Sequence, residues 1–221
     1  MRLNDRGYTI LELLVAVAIS GIFMGAIYSA YSSQQRSTLS HEWVSTMQRN
    51  LRSAMYYVGK EIRMAGCDPT GNAGARVETA RTDELRFTLD ITNDADAGDP
   101  DGDTGDANED IRYYLSDSDL MRNSNRIAEN IDAIDFVYLD KDGTRLDDDG
   151  YGNLDYDESK AKIRTIQVTV VARTGKEDPR YTDSKIYKNK LGETVFDPTG
   201  IDVHFRRKLL STSIKCRNLG L

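Results

Sequence analysis

Residues 7–31 read GYTILELLVAVAISGIFMGAIYSAY, an almost wholly apolar run that contains a single charged residue, Glu12. A helix that crosses a bilayer needs about 20 apolar residues, so this run is long enough to span a membrane. An acid at the centre of a membrane helix costs roughly 2.5–3.5 kcal/mol. Anchoring in a membrane alone therefore does not explain the presence of Glu12.

The short segment before this run, MRLNDRG (residues 1–7), carries two arginines and one acid. Because positive charge beside a span stays in the cytoplasm, we expect the chain after the run to face outward. A cleaved secretory signal has an apolar region of only about 7–15 residues, which this run exceeds. A plain signal anchor explains the length and the orientation but not Glu12. Alternatively, Glu12 has no special role. It lies near the start of the helix, and its side chain extends to the cytoplasmic head groups.

Residues 7–17, GYTILELLVAV, resemble the prepilin motif of type IV pilins and type II secretion pseudopilins. The resemblance implies that a prepilin peptidase cleaves between Gly7 and Tyr8 and N-methylates Tyr8. It also implies a role in subunit assembly for Glu12, which falls at the fifth mature position. A carboxylate in lipid needs a partner, and the new α-amino group of Tyr8 on a neighbouring subunit can supply one.

Apolar residues continue beyond this run at steps of three or four, which is typical of an amphipathic helix. They are Leu39, Trp43, Met47, Leu51, Met55, Val58, Ile62 and Ala65. We therefore predict one helix over residues 8–66, with 8–31 in the membrane or filament core and 32–66 packed on a head. Gly66 and Pro69 provide its stop signal.

After Cys67 the apolar period changes from 3.6 to 2, which indicates strands. The predicted strands lie at 84–91, 111–115, 119–123, 134–140 and 163–173, and in the last segment, where Val203, Phe205 and Leu209 alternate. The turn at 116–118 predicts a hairpin. Strands without intervening helices favour an antiparallel sheet. An α+β fold follows, in which the long helix packs against the sheet of a head formed by residues 67–221.

The order of five segments is similar to that of PilW-type minor pilins, which are related to the J-type pseudopilins of type II secretion. These segments are RNLRSAMYYVGKEIRMAGCDP (49–69), DIRYYLSDSDLMR (110–122), ENIDAIDFVYLDKDGTRL (129–146), KIRTIQVTVVARTG (162–175) and FRRKLLSTSIKCRNLGL (205–221). The resemblance implies a pilin fold and a scarce subunit of the complex that primes the pilus and caps its tip. The implied functions are pilus assembly and adhesion, motility or DNA uptake.

The resemblance also implies partners and a location. The partners are prepilin peptidase, other minor pilins, the major pilin (or pseudopilins) and the inner-membrane assembly platform. The location is the bacterial inner membrane, with a single span and a periplasmic head, and later the tip of the pilus or pseudopilus.

Two stretches, residues 94–110 and 140–158, contribute −14 together, twice the net charge of −7 for the 221-residue chain. A nucleic-acid-binding face needs clustered Lys and Arg, so this pattern argues against a direct nucleic-acid site. It suits a hard cation such as calcium, which accepts oxygen ligands at flexible geometry. The alternative is a pair of solvated loops that are disordered without a cation.

The first stretch resembles an EF-hand loop in its acids. Asp99, Asp101 and Asp103 match positions 1, 3 and 5, and Asp110 matches position 12, although Thr104 replaces the glycine of the sharp turn. The second stretch offers the following oxygen ligands: Asp147, Asp149, Asn153, Asp155 and Asp157.

Cys67 and Cys216 are the two cysteines, and in an exported domain such a pair can form a disulfide. Two separate buried thiols are the alternative. The two histidines, His41 and His204, belong to no nucleophile or metal motif, and we predict that the chain is not an enzyme. Three hypotheses follow: a PilW-like minor pilin, a J-like pseudopilin, or a membrane-anchored calcium-binding or adhesive domain that does not polymerise.

Overall fold

The computed structural model describes residues 9–92, 99–200 and 202–220. The chain forms two compact units, residues 1–43 and 44–221. The long helix α1 (Ile10–Ile62) begins in the first unit and ends in the second, and the short helix α2 spans Asp157–Lys160. The strands are β1 (Val77–Ala80), β2 (Glu84–Thr88), β3 (Asp110–Ser116), β4 (Asp119–Arg122), β5 (Asn125–Ala128), β6 (Ile131–Leu139), β7 (Thr165–Arg173), β8 (Tyr187–Lys188), β9 (Thr194–Phe196) and β10 (Arg207–Lys215).

The strands form three antiparallel sheets. Five strands pair in the order β1-β2-β3-β4-β5, three pair in the order β10-β7-β6, and β8 pairs with β9. Backbone hydrogen bonds join the two larger sheets, because the Phe136 N–H donates to the Thr82 carbonyl at 2.8 Å and the Ile131 N–H donates to the Ser118 carbonyl at 2.8 Å. The predicted long helix and antiparallel sheet of an α+β fold are confirmed.

Helix α1 ends earlier than predicted. Residues 63–66 form a turn, and Gly66 has a φ of +74°, the left-handed conformation that glycine adopts at little cost. A β-carbon at Gly66 would also press on the Leu219 side chain of the C-terminal segment, which would have to move. The predicted stop signal therefore acts as expected, although the last regular helical residue is Ile62.

Within the second unit, the apolar face of α1 packs on the sheets. Its buried residues recur every three to four positions, with two adjacent pairs: Met47, Leu51, Ala54 and Met55, Val58 and Gly59, and Ile62. Their apolar side chains join one hydrophobic core with Phe87, Tyr113 and Phe136, none of which is exposed to solvent. This burial confirms the amphipathic pattern from Met47 onward, whereas Leu39 is 41% exposed.

A partly buried cluster fixes the β3–β4 hairpin to the end of α1. Glu61 on α1 accepts a hydrogen bond from Arg122 Nε at 2.9 Å and a very short one from the Tyr113 hydroxyl. Burial and the Glu61 carboxylate raise the pKa of Tyr113 well above its usual value, so its hydroxyl stays a donor. Asp117 and Ser118 form the hairpin turn with positive φ, as a type I′ turn requires, and the predicted hairpin is confirmed.

The last predicted strand begins too early. Val203 and Phe205 lie in a turn, and β10 starts only at Arg207. The carbonyl of Val203 accepts a hydrogen bond from the Asp183 N–H at 2.7 Å. This part of the chain therefore contacts, and helps to fix, a long connection between strands. Residues 174–206 form that connection between β7 and β10.

A buried ion-pair network fastens this connection to the sheet. The Arg207 side chain is fully buried, and it donates to Asp132 at 2.5 Å and to Asp183 at 3.3 Å. Arg173 also pairs with Asp132, at 3.1 Å, and with Asp202, at 3.0 Å. Burial raises the pKa of Asp132 in spite of these two guanidinium groups.

The outer edge of β1 is covered by the second acidic stretch, in which the sequence predicts no secondary structure. The Leu154 N–H donates to the Ala80 carbonyl at 2.8 Å, and Lys160 Nζ on α2 donates to the Glu78 carbonyl at 3.0 Å. Leu154 is buried and forms an isolated bridge with Ala80. This stretch is therefore part of the fold rather than a free loop.

Candidate functional site

The start of α1 is built from Thr9 and Glu12. Glu12 Oε2 accepts hydrogen bonds from the Thr9 N–H at 2.9 Å and the Thr9 hydroxyl at 3.1 Å, and the Glu12 N–H donates to Thr9 Oγ1 at 3.2 Å. This is the reciprocal pattern of a capping box, in which Ser or Thr precedes the helix and Glu or Gln follows three residues later. Glu12 thus caps its own helix, a role that the sequence reasoning did not include.

Gly7 and Tyr8, the predicted cleavage and methylation positions, lie outside the described residues. Their roles remain predictions from the motif. Thr9 is the first described residue, so cleavage after Gly7 would leave one residue before the capping box. The α-amino group produced there would be close in sequence to Glu12, but the prediction concerns the amine of a neighbouring subunit.

The helix after Glu12 presents large apolar side chains to solvent. Ile10 is 80% exposed, and most of the apolar side chains from there to Tyr31 are exposed as well. By length and composition, α1 could cross a membrane, and its most apolar window has no buried residue. Exposed apolar surface of this extent is typical of a segment that is covered by lipid or by other protein chains.

The first acidic loop brings together a different set of acids from the predicted one. Carboxylate oxygens of Asp101, Asp103 and Asp106 lie within 4.8 Å of one another. Asp99 is not a member of this group. Asp110 lies in β3 and forms a bidentate ion pair with Arg86, with hydrogen bonds of 2.8 and 2.5 Å. This pair lowers the pKa of Asp110. The assignment of Asp110 to a cation is therefore corrected: a guanidinium already occupies both its oxygens.

Two buried acids beside this loop were missed by the sequence reasoning. Asp90 and Glu109 have no exposed surface, and each has one carboxylate oxygen without a hydrogen-bond partner among the described residues. Buried acids are unusual unless they are paired. Asp90 follows an alternating strand and Glu109 lies in an acid-rich run, so no local pattern distinguishes them from exposed acids.

The second acidic loop satisfies its acids internally. Asp147 accepts hydrogen bonds from the backbone of Gly150 and Gly152, at 2.7 and 3.0 Å. Asp149 accepts from the Asn153 side chain at 2.5 Å and from the Tyr151 N–H at 2.7 Å, and these donors lower its pKa to about 2. The loop therefore supplies donors for these acids from its own backbone and from the Asn153 side chain.

Cys67 and Cys216 are free thiols in the structure, which corresponds to the alternative of two separate thiols. Cys216 is buried in the core at the end of β10, and burial raises its pKa to about 12. Cys67 is half-buried, and burial with the nearby carboxylates of Asp90 and Asp68 raises its pKa. Neither thiol has the depressed pKa of a reactive cysteine.

Comparison with known proteins agrees with this arrangement. Residues 2–28 match the family model described as the prokaryotic N-terminal methylation motif. The solved structure of the type IV-like pilin TTHA1219 from Thermus thermophilus is similar to this chain, with a TM-score of 0.55 and 11% sequence identity. The match covers 79% of this chain and 97% of that one. Among curated proteins, none matches this chain in sequence.

The chain thus carries the prokaryotic N-terminal methylation motif and has a type IV pilin fold. This combination indicates a structural subunit rather than an enzyme. Pilins with this type of motif are in general processed by a prepilin peptidase and assemble with other pilins.

Proposed function

We propose that the chain is a minor type IV pilin of the PilW type, a subunit of the complex that primes the pilus and caps its tip. The carrying observation is the position of Glu12, an acid at the start of an exposed apolar helix that matches the methylation motif. The pilin fold, which is matched over 79% of the chain, supports the same function.

The proposed assembly step uses two parts of the N-terminus. Removal of residues 1–7 creates an α-amino group on Tyr8, which is then methylated and remains cationic. Glu12 of an incoming subunit pairs with the Tyr8 amine of a neighbour, which compensates the cost of holding a carboxylate in an apolar environment. The ion pair also sets the axial position of one subunit relative to the next.

The proposed location follows from the apolar helix. Before assembly, residues 8–31 span the inner membrane and the head is periplasmic, as the two arginines of the leader favour. After assembly the subunit lies at the pilus tip. The proposed partners are prepilin peptidase, the other minor pilins, the major pilin and the inner-membrane platform.

Mass spectrometry of the mature N-terminus tests the processing step. We expect a chain that begins with N-methylated Tyr8 in cells with prepilin peptidase, and an unprocessed chain in cells without it. A mature chain that begins at Met1, or at any other residue, would contradict the pilin function and would favour an anchored domain that does not polymerise.

Deletion of the gene in its own host tests the choice of machine. Loss of surface pili with normal protein secretion supports a minor pilin. Loss of secretion with normal pili instead supports a J-like pseudopilin, whose N-terminal chemistry is the same. Quantitative mass spectrometry of purified filaments adds the stoichiometry, which we expect to be far below that of the major pilin.

A further inference from the structure

We propose that the loop at residues 99–110 binds one calcium ion, with Asp101, Asp103 and Asp106 as direct ligands and the buried carboxylates of Asp90 and Glu109 completing the negative charge of the site. The proposal does not depend on the proposed role in the pilus. It differs from the EF-hand interpretation of the sequence, which used Asp99 and Asp110.

The three direct ligands have the right spacing for one ion. Calcium binds oxygen at about 2.3–2.6 Å, so two oxygens on one ion can lie up to about 5 Å apart. The carboxylate oxygens of Asp101, Asp103 and Asp106 all lie within 4.8 Å of one another. Among the described residues, neither Asp101 nor Asp103 forms an ion pair that would neutralise this charge.

The two buried carboxylates provide an independent indication of a cation. Asp90 uses one oxygen to accept from the Thr70 hydroxyl at 3.1 Å, and Glu109 uses one to accept from the N–H groups of Ile91 and Thr92 at 2.7 and 2.8 Å. Asp90 Oδ1 and Glu109 Oε2 are buried without a hydrogen-bond partner among the described residues. A buried carboxylate oxygen without a hydrogen-bond partner is unfavourable, and a nearby cation reduces that cost.

Further contacts connect these buried acids to the exposed ones. Gly102, between Asp101 and Asp103, packs on Thr70: a β-carbon at Gly102 would lie 3.4 Å from the Thr70 hydroxyl, the same group that binds Asp90. On the other side, the Glu109 N–H donates to the Asp106 carbonyl at 3.2 Å. Through Thr70 and the backbone of Asp106, the two buried acids therefore lie beside the loop that carries the three direct ligands.

The chemistry of the ligand set selects the ion. All the ligands are oxygens, and no His or Cys belongs to the group, which favours a hard cation over zinc. Calcium accepts flexible geometry from a loop, whereas magnesium demands a near-ideal octahedron and retains its waters. We therefore expect calcium to bind more tightly than magnesium.

Isothermal titration calorimetry of the full-length protein in detergent, after chelator treatment, tests the site. We expect one calcium ion per chain and a melting temperature that rises with calcium, because a ligand that binds only the folded state stabilises it. At equal ionic strength, magnesium should give a smaller rise. Absence of calorimetric binding, superimposed melting curves or an equal effect of magnesium would overturn the proposal.

Amide substitutions locate the ligands. Glu109→Gln and Asp90→Asn keep the oxygen that accepts the existing hydrogen bonds and remove only the negative charge. We expect each to weaken calcium binding roughly ten- to hundredfold. Asp101→Asn should also weaken calcium binding, and it should not impair folding because the position is exposed. If all three variants bind calcium as the wild type does, the proposed site is wrong.

Two control variants separate a site from general screening of charge. Asp155→Asn removes an exposed acid of the other acidic loop and should leave calcium binding unchanged. Asp110→Asn breaks the pair with Arg86 and should also retain calcium binding, in contrast to the EF-hand assignment. If Asp155→Asn weakens binding as much as Asp101→Asn, calcium acts through diffuse electrostatics, and the proposal fails.

Discussion

Thr9 and Glu12 are reciprocally hydrogen-bonded, since Glu12 Oε2 accepts from the Thr9 N–H at 2.9 Å while the Glu12 N–H donates to the Thr9 hydroxyl at 3.2 Å. The acid of the methylation motif therefore has a local role before any neighbour is present. A capping box accepts glutamine as well as glutamate, so capping and charge can be separated by mutation.

Glu12→Gln should retain the helix cap but fail to enter filaments, because the neutral amide cannot neutralise the Tyr8 amine of a neighbour. Glu12→Ala should lose both the cap and assembly, at a cost of about 1 kcal/mol or less in helix stability. Membrane insertion should be intact in both variants. Filament content is measured by immunoblotting of sheared pili beside a membrane fraction. Normal incorporation of Glu12→Gln would show that capping, not the charge, is the function of Glu12.

Glu61→Ala should destabilise the second unit by about 2–4 kcal/mol. The substitution leaves the Arg122 guanidinium and the buried Tyr113 hydroxyl without their acceptor. Chemical denaturation followed by circular dichroism measures the loss. Asp119→Asn is the matched control, because it breaks only the more exposed pair with Arg126 and should change stability by less than about 1 kcal/mol. Equal effects of the two variants would contradict the anchoring role of Glu61.

Arg207→Met should destabilise the protein by about 3–5 kcal/mol, because Asp183 then remains buried without its cation and Asp132 retains only Arg173. The connection over residues 174–206 should become sensitive to protease, since this network fastens it to the sheet. Limited proteolysis with mass mapping detects the new cleavage sites. Lys208→Met changes the next residue of β10, which is exposed, and should leave the digestion pattern as in the wild type.

Asp149 should titrate with a pKa of about 2, against 3.8 in the unfolded chain. Because its folded pKa is lowered, its contribution to stability is present above about pH 4 and is lost as the pH falls through 2. Carbon-detected NMR of aspartate-labelled protein measures the midpoint. Asn153→Ala removes the largest cause of the shift and should move the midpoint toward 3.8. A wild-type midpoint near 3.8 would be inconsistent with the hydrogen bonds of this loop.

Cys216 should resist alkylation in the native protein at pH 8, because it is buried and its pKa is raised to about 12. Both Cys216 and Cys67 should be alkylated after denaturation without reductant, since neither is in a disulfide. Peptide mass spectrometry measures both outcomes. A peptide in which Cys67 is linked to Cys216 would show that the protein forms the bond after export.

Much of the fold could be predicted, because long periodic patterns carry strong signals. The continuous apolar stripe gave α1 from Met47 onward, and the alternation around the turn at 116–118 predicted the β3–β4 hairpin. Strands β1, β5, β8 and β9 were missed because each has only two to four residues, too few to show a period. The equally short β4 was found only because the turn at 116–118 marks it as one arm of a hairpin. Val203 and Phe205 alternate as strand residues do, but they are held in a turn by the connection before β10.

The candidate cation site shows a different limit. Local spacing assigned Asp110 to calcium, but β2 and β3 pair so that Arg86 lies diagonally across from it. The sequence neighbours of Asp110 do not reveal which basic residue the register places there. In the same way, the burial of Asp90 and Glu109 depends on contacts with Thr70 and residues 91–92, and no periodicity predicts it.

The covered edge of β1 has a consequence for association with other chains. An open edge strand is a template on which another chain can add a strand, and this leads to aggregation. Leu154 and Lys160 occupy carbonyls of Ala80 and Glu78 on that edge. Leu154 of the second acidic loop and Lys160 of helix α2 therefore hinder the addition of a strand from another chain at this edge of the sheet.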